Sequence, residues 1–377
     1  MNKIVYFGVI VVSVVIAYGE NVFGGPMNIE KDLKVTDSIY EGIRVNKSCK
    51  IIFDNAQDIV VGDMYNSKTP GIEIAPRVTL TVQLNGYGNV NIYGGCSVGF
   101  GNRYSYAAIY VPVGAVLVIE GNNTCILNAV GHLGAAGIGG CGVSMNVRDV
   151  DYSMINAGSI YIKSGNVTTS SSCHDKCLHR GTGAGIGGGG LFNAIDRENL
   201  IGGSVDLIEI YDGNVTAIGG GCSDCAGVGA GIGGGGVCNV ANEIAYIKGG
   251  DLKKVKLNKG VVTARGGCNN NAQGVGAGIG GGGIYNKGKC DRMQEGCLRE
   301  FFSNGDVRLN VVGGYRNSVD IGSGSIQYIA TCIDGVPPIT SFKAEVLGVE
   351  DALYDSKGKI FSSVIMTIIG FLVMLGK

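Results

Sequence analysis

The sequence predicts an all-β chain wound as a parallel β-helix, with repeats of about 46–48 residues and a cap at each end. Three observations predict it. The octapeptide Gly-Ala-Gly-Ile-Gly-Gly-Gly-Gly occurs at 183–190, 229–236 and 276–283, with a weaker copy at 135–142. Its central isoleucines, Ile138, Ile186, Ile232 and Ile279, lie 48, 46 and 47 residues apart, and a fixed period of that size means stacked units, none of which closes a core alone. Between the octapeptides run short apolar alternations of period two, the mark of strands with one buried face. No 11-residue stretch within 38–335 carries a helical period. Because a coil of such a helix is normally shorter than this unit, each unit is expected to supply two coils. A β-propeller is the competing architecture, since a unit of this length could make a blade. Four-stranded blades need more apolar strand residues than a unit spending eight positions on the octapeptide offers.

Residues 1–19 read as a signal peptide: Lys3 gives the positive start, 4–16 are apolar, and Ala17, Tyr18 and Gly19 precede Glu20. Residues 20–39 are the expected N-terminal cap of the solenoid, which spans 40–325. Its first strands are expected around 43–45, 49–53, 72–74, 78–84, 90–92, 116–119 and 126–127. The later units align with one another: 159–168, 207–216 and 254–263 each read as strand, glycine turn, strand. A worn fifth unit places Ile321 42 residues beyond Ile279. Residues 326–355 are the expected C-terminal cap and polar stalk. The tail 356–377 is apolar after Lys359 and ends at Lys377, the pattern exchanged for a glycosylphosphatidylinositol anchor, with Asp355 or Ser356 as the anchor site. A retained transmembrane segment is the alternative.

Residues 20–355 hold 26 Lys+Arg (30 less Lys3, Lys357, Lys359 and Lys377) against 31 Asp+Glu, a net of −5. That is not a nucleic-acid footprint, so no nucleic-acid partner is expected. Glycine reaches 67 residues, but it is periodic and interleaved with β-branched runs, so it reads as ordered turns. Thirteen cysteines on a secreted chain imply disulfides, and the odd count leaves one thiol over.

Residues 107–121, running on to Gly137-Ile138-Gly139-Gly140, together with the octapeptides, resemble the Ala-Gly-Ile-Gly-Gly-Gly repeat proteins of bacterial and protist surfaces. The resemblance covers roughly residues 43–324. It implies a right-handed β-helix, carbohydrate-binding in some members, and no shared catalytic residues. The terminal signals and cysteine load are similar in overall design to the spore-wall proteins of microsporidia.

Five constellations bear on chemistry. The string 229–234 satisfies the dinucleotide pattern G-x-G-x-x-G, but Gly235 and Gly236 follow where a helix must start, so a structural turn is expected and no cofactor. Cys173, Cys177, Cys222, Cys225 and Cys268 fall in the same loop of successive units, which favours a disulfide cluster over zinc ligation by Cys173, His174, Cys177 and His179. The unpaired thiol is expected at a chain-end position such as Cys49, Cys290, Cys297 or Cys332. Lys253, Lys254 and Lys256 form a basic, apolar-interleaved strand that could contact sulfated or carboxylated glycans. Asn46, Asn122, Asn166 and Asn214 head N-glycosylation sequons. The three histidines fall in no motif with a nucleophile, and Asp149/Asp151 is the only close aspartate pair noted, so an enzyme is not expected.

The expected function is that of a structural component of an extracellular coat, a spore or cyst wall, held at the cell surface by a lipid anchor. Its expected partners are other wall proteins and polysaccharide. An adhesin or glycosaminoglycan-binding module is the alternative, and a polysaccharide lyase or hydrolase the third reading.

Overall fold

The computed structural model describes residues 25–328 except 55–56, 65–66, 97–103, 133, 146–151, 173–180, 196, 222–225, 268–273, 315–318 and 325, together with 345–346. The chain is all-β: apart from a 3-10 turn at Ser153–Ile155, no helix occurs among the described residues. The expected signal peptide and tail lie outside them.

Three long sheets carry the body. Sheet A runs from Met27–Ile29 through Ile43–Val45, Ile72–Ile74, Ile109–Tyr110 and the four octapeptide strands to Ile321–Gly322. Sheet B runs from Leu33–Val35 through Cys49–Phe53, Thr79–Leu84, Val116–Gly121, Ala157–Ile162, Val205–Ile210, Leu252–Leu257 and Leu298–Ser303 to Glu345–Val346. Sheet C runs from Ile59–Val61 through Asn89–Tyr93, Ile126–Gly131, Asn166–Ser171, Asn214–Ile218 and Gly260–Arg265 to Val307–Val312. The chain visits A, B and C in turn, and each strand pairs in parallel with its counterpart on the next pass. This is the ladder pattern of a solenoid. It begins within the stretch expected as a cap, since Met27 pairs with Ile43, Leu33 with Ile51, and Ile39 bridges Val61.

One expectation is corrected by the register. Ile138, Ile186, Ile232, Ile279 and Ile321 are successive partners in sheet A, so one unit makes one coil and not two. The extra length goes into a side lobe between A and B. There sheet D (Gly142–Met145, Leu191–Asn193, Val237–Asn239, Ile284–Asn286, Ile326–Tyr328) and sheet E (Arg197–Ile201, Glu243–Lys248, Lys289–Gln294) stack beside the main body. Earlier coils lack sheet E and are shorter: Ile43, Ile72 and Ile109 are partners 29 and 37 residues apart. An antiparallel strand pair joins Tyr104–Ser105 to Gly142–Met145.

Period-two alternation sends every second side chain inward, where parallel register lines like with like. Leu80, Leu117, Ile160, Ile208 and Val255 form one buried column in sheet B, and Val90, Leu127, Val167, Val215 and Val262 another in sheet C. The octapeptide isoleucines join the same core from sheet A. Each such side chain contributes about 1.5–3 kcal/mol by leaving water. A second cluster, including Leu191, Leu200, Val237, Ile244, Ile247 and Ile284, fills the side lobe.

Glycine joins these two cores. Gly187, Gly233 and Gly280 have φ of 137°, 139° and 144°, and a Cβ on Gly233 would lie 1.9 Å from the Gly280 carbonyl oxygen. Where lobe meets body, backbone hydrogen bonds zip glycines of the two walls in alternation: Gly203 N–H to Gly189, Gly235 to Gly203, Gly250 to Gly235, Gly282 to Gly250. A matching seam ties the end of sheet C back to the octapeptide that opens the same unit, with Gly220 donating to Gly183, Gly267 to Gly229 and Gly314 to Gly276. Side chains would hold these backbones apart, which is why glycine doublets recur at 202–203, 249–250, 219–220, 266–267 and 313–314.

Candidate functional site

The dinucleotide-like string folds as the sequence leads one to expect of a structural turn. Residues 229–236 are buried and contribute the strand Ile232–Gly233. Their amides are committed to the next coil or the opposite wall: Gly231 to Ala277, Ile232 to Gly278, Gly234 to Gly280, Gly235 to Gly203. No helix N-terminus is built there, and these donors are not available to a phosphate.

The three lysines lie on the outer side of sheet B, and each meets a carboxylate from a neighbouring strand. Lys253 Nζ is 2.7 Å from Asp206, Lys254 Nζ 2.6 Å from Glu300, and Lys256 Nζ 3.5 Å from Glu209. Lys254 also lies 4.9 Å over the Phe302 ring. Register produces this: Lys254 pairs with Glu300 and Lys256 with Glu209 as direct cross-strand neighbours. The stripe that reads as basic in one strand is charge-balanced across three.

A second arrangement, which the linear sequence did not reveal, stands at the entry to sheet B. In three successive coils the residue before the strand uses its side chain to accept from the N–H of the next coil. Asn156 Oδ1 accepts from Ser204 N–H at 2.9 Å, Ser204 Oγ from Asp251 N–H at 3.0 Å, and Asp251 Oδ1 from Cys297 N–H at 3.1 Å. Asp251 is 3% exposed. Burial pushes its carboxyl up, but the Lys248 ammonium at 2.5 Å, the Cys297 amide and the Arg299 guanidinium at 3.0 Å outweigh burial and hold it below its ordinary value. Burial and the Asp251 charge push the Cys297 thiol up, and burial with Asp32 does the same for Cys49. Neither is a primed nucleophile, which would need the opposite shift. Cys141, fully enclosed, is pushed up to about 12 by burial.

The side lobe holds a third column, also missed. Asn193, Asn239 and Asn286 are fully buried and stacked in register. Asn193 Nδ2 donates to Asn239 Oδ1 and Asn239 Nδ2 to Asn286 Oδ1, both at 2.7 Å. Asn286 closes the chain on the Gly288 carbonyl at 2.8 Å. Asn193 Oδ1, at the first of these three positions, has no hydrogen-bond partner among the described residues. The signal was present as Leu-Phe-Asn, Val-Cys-Asn and Ile-Tyr-Asn immediately after the three octapeptides.

The sequon asparagines have structural partners. Asn46 Nδ2 donates to Asn28 at 3.2 Å. Asn122 Oδ1 accepts from the amides of Thr124 and Cys125 and closes its own turn. Asn214 Nδ2 donates to Asn166 Oδ1 at 2.8 Å, and Asn166 Nδ2 to the Asn123 carbonyl at 2.6 Å. Cys173, Cys177, Cys222, Cys225, Cys268 and Cys332, His174 and His179, Asp149 and Asp151, and the anchor candidates Asp355 and Ser356 lie outside the described residues. Among the described residues, no three His, Cys, Asp or Glu converge as a metal site, and no helix is long and apolar enough to cross a membrane.

No family model, curated protein or solved structure matches this chain.

Proposed function

We propose that this protein is a structural component of an extracellular coat, such as a spore or cyst wall, displayed by a lipid anchor on the cell surface. The observation that carries the reading is the pair of glycine seams, in which backbone amides bond carbonyls earlier in the chain, either on the facing wall of the same coil or on the coil before it. Together with the buried asparagine column they tie each coil to its neighbours by main chain and ladder as well as by core. A rod so built resists local opening, which suits a load-bearing part exposed outside a cell. The winding is right-handed by the general rule for parallel crossovers. The large coil of 46–48 residues gives the rod two cores side by side, and therefore a thicker cross-section than three sheets alone.

The glycosaminoglycan reading draws less support from this arrangement, because all three lysines have carboxylate partners and exposed pairs present little net field. The enzyme reading draws none from Asp251, whose oxygens cap a turn and pair with Lys248 and Arg299. Immunogold labelling of intact cells tests the coat: label at the outer surface is expected, and label confined to cytoplasm or endomembranes would overturn it. Phosphatidylinositol-specific phospholipase C should release the protein, whereas retention with the tail detectable by mass spectrometry would favour a transmembrane segment. Surface material never exposed to a thiol should run as high-mass species that collapse to monomer on reduction.

A further inference from the structure

The outer face of sheet C differs from that of sheet B. Its first five strands, Ile59–Val61, Asn89–Tyr93, Ile126–Gly131, Asn166–Ser171 and Asn214–Ile218, contain no charged residue. Among the described residues no ion pair involves a sheet C strand, while sheet B carries Lys50–Glu120, Lys253–Asp206, Lys254–Glu300 and Lys256–Glu209. The register stacks the outward positions into columns. After Val60 on the first strand, the central one reads Asn91, Asn128, Thr168, Thr216, Thr263, Asn310, a file of amides and hydroxyls. These side chains are half-buried from Asn91 to Thr263, as expected on an uncovered sheet face. Asn128 Nδ2 bonds Asn91 Oδ1 at 3.0 Å, which fixes the amide planes along the file. Beside it Ile126 and Ile218 are exposed at 38% and 39%, and Tyr87, in the turn leading into Asn89, at 78%.

We infer that this face binds a neutral polysaccharide chain laid along the axis of the solenoid. Uncharged donors and acceptors repeated every 4.7–4.9 Å, flanked by aliphatic and aromatic carbon, match a polymer of hydroxyl-bearing rings with apolar faces. Its first five strands offer an acidic glycan no compensating charge; the outward arginines, Arg265 and Arg308, stand only on the last two strands, Gly260–Arg265 and Val307–Val312. A second copy of the chain fits less well. Seven strands at ~4.8 Å by about five residues at ~3.3 Å make roughly 550 Å² per partner. Doubled, that is about 1,100 Å², below the usual range of about 1,200–2,000 Å² for a specific protein pair. A single polymer strand needs no more than the central file and its flanks. The inference builds on the coat reading only in supplying a wall polymer as ligand, and immunogold labelling decides that reading separately.

The test uses the full chain, purified in detergent from a host without N-glycosylation, since Asn166 and Asn214 border the file. It is passed over chitin, β-1,3-glucan, cellulose and heparin beads. Retention on at least one neutral polymer, undiminished in 1 M salt, is expected, because an uncharged ligand is not screened. The triple variant Thr168→Lys/Thr216→Lys/Thr263→Lys should weaken that retention tenfold or more while keeping its melting temperature. If the lysine variant fails to fold, Thr168→Val/Thr216→Val/Thr263→Val removes the hydroxyls at constant shape and should weaken retention in the same direction. Failure of every neutral polymer to retain the protein, retention that salt abolishes, or equal retention of the folded variant would overturn the inference. So would a dimer of the wild-type chain that the same substitutions dissociate, which would assign the face to a second copy.

Discussion

Gly233→Ala puts the glycine column to a quantitative test. Gly233 has φ of 139°, and its Cβ position lies 1.9 Å from the Gly280 oxygen and 2.9 Å from the Gly280 carbonyl carbon. Both contacts are main chain, so no side chain can swing away; the coils must separate or the residue must change conformation. Holding a non-glycine residue in this part of φ/ψ space costs on the order of 1–3 kcal/mol. Separating the coils disturbs the flanking bonds from Ile232 to Gly278 and from Gly234 to Gly280, 3.0 and 2.8 Å long, at about 1 kcal/mol each. The sum is about 3–5 kcal/mol, or a fall in melting temperature on the order of 5–15 °C. Gly305→Ala is the control: nothing lies within 4 Å of its Cβ position and its φ is not positive, so no loss is expected. Thermal unfolding by circular dichroism reads the global effect. Hydrogen exchange with mass spectrometry reads the local one, which should concentrate in residues 226–241 and 274–286. If Gly233→Ala melts within about 2 °C of the Gly305→Ala control, close packing does not explain the octapeptide.

Three further outcomes are expected. Asn239→Ala breaks bonds to Asn193, Asn286 and the Ala241 amide and should cost about 2–5 kcal/mol in urea unfolding, with faster exchange in sheet D first. Asp251 has a folded pKa below its ordinary 3.8, so its contribution is present above that value and lost as pH falls through the folded one. Asp251→Asn should therefore lose about 2 kcal/mol at pH 7 and converge with wild type in acid; a gap unchanged at pH 2 would refute the charge argument. Lys253→Ala/Lys254→Ala/Lys256→Ala removes three exposed or half-exposed pairs worth less than ~1 kcal/mol each and should leave heparin-bead retention unchanged; a clear drop would restore the glycosaminoglycan reading.

The octapeptide, its period and the alternation between copies determined by themselves that this chain is a stack of parallel strands. They also placed Ile138, Ile186, Ile232 and Ile279 in the core and a glycine turn between the strands of sheets B and C. These follow from local rules, since period two selects a strand face and repetition selects register. How many strands one unit contributes was a tertiary matter. Residues such as Leu191–Asn193 and Glu243–Lys248 look like further short strands in one dimension, and only packing decides that they form a lobe within the same coil. The columns Asn156–Ser204–Asp251–Cys297 and Asn193–Asn239–Asn286 likewise appear once coils are stacked, because each member bonds a residue 46–48 positions away. Charge behaves the same way. Lys254 and Lys256 look basic along one strand, yet their nearest carboxylates are Glu300 and Glu209 on the strands either side. Local sequence fixes which way a side chain points, while its neighbours in a parallel stack come from other coils, and they set its electrostatics.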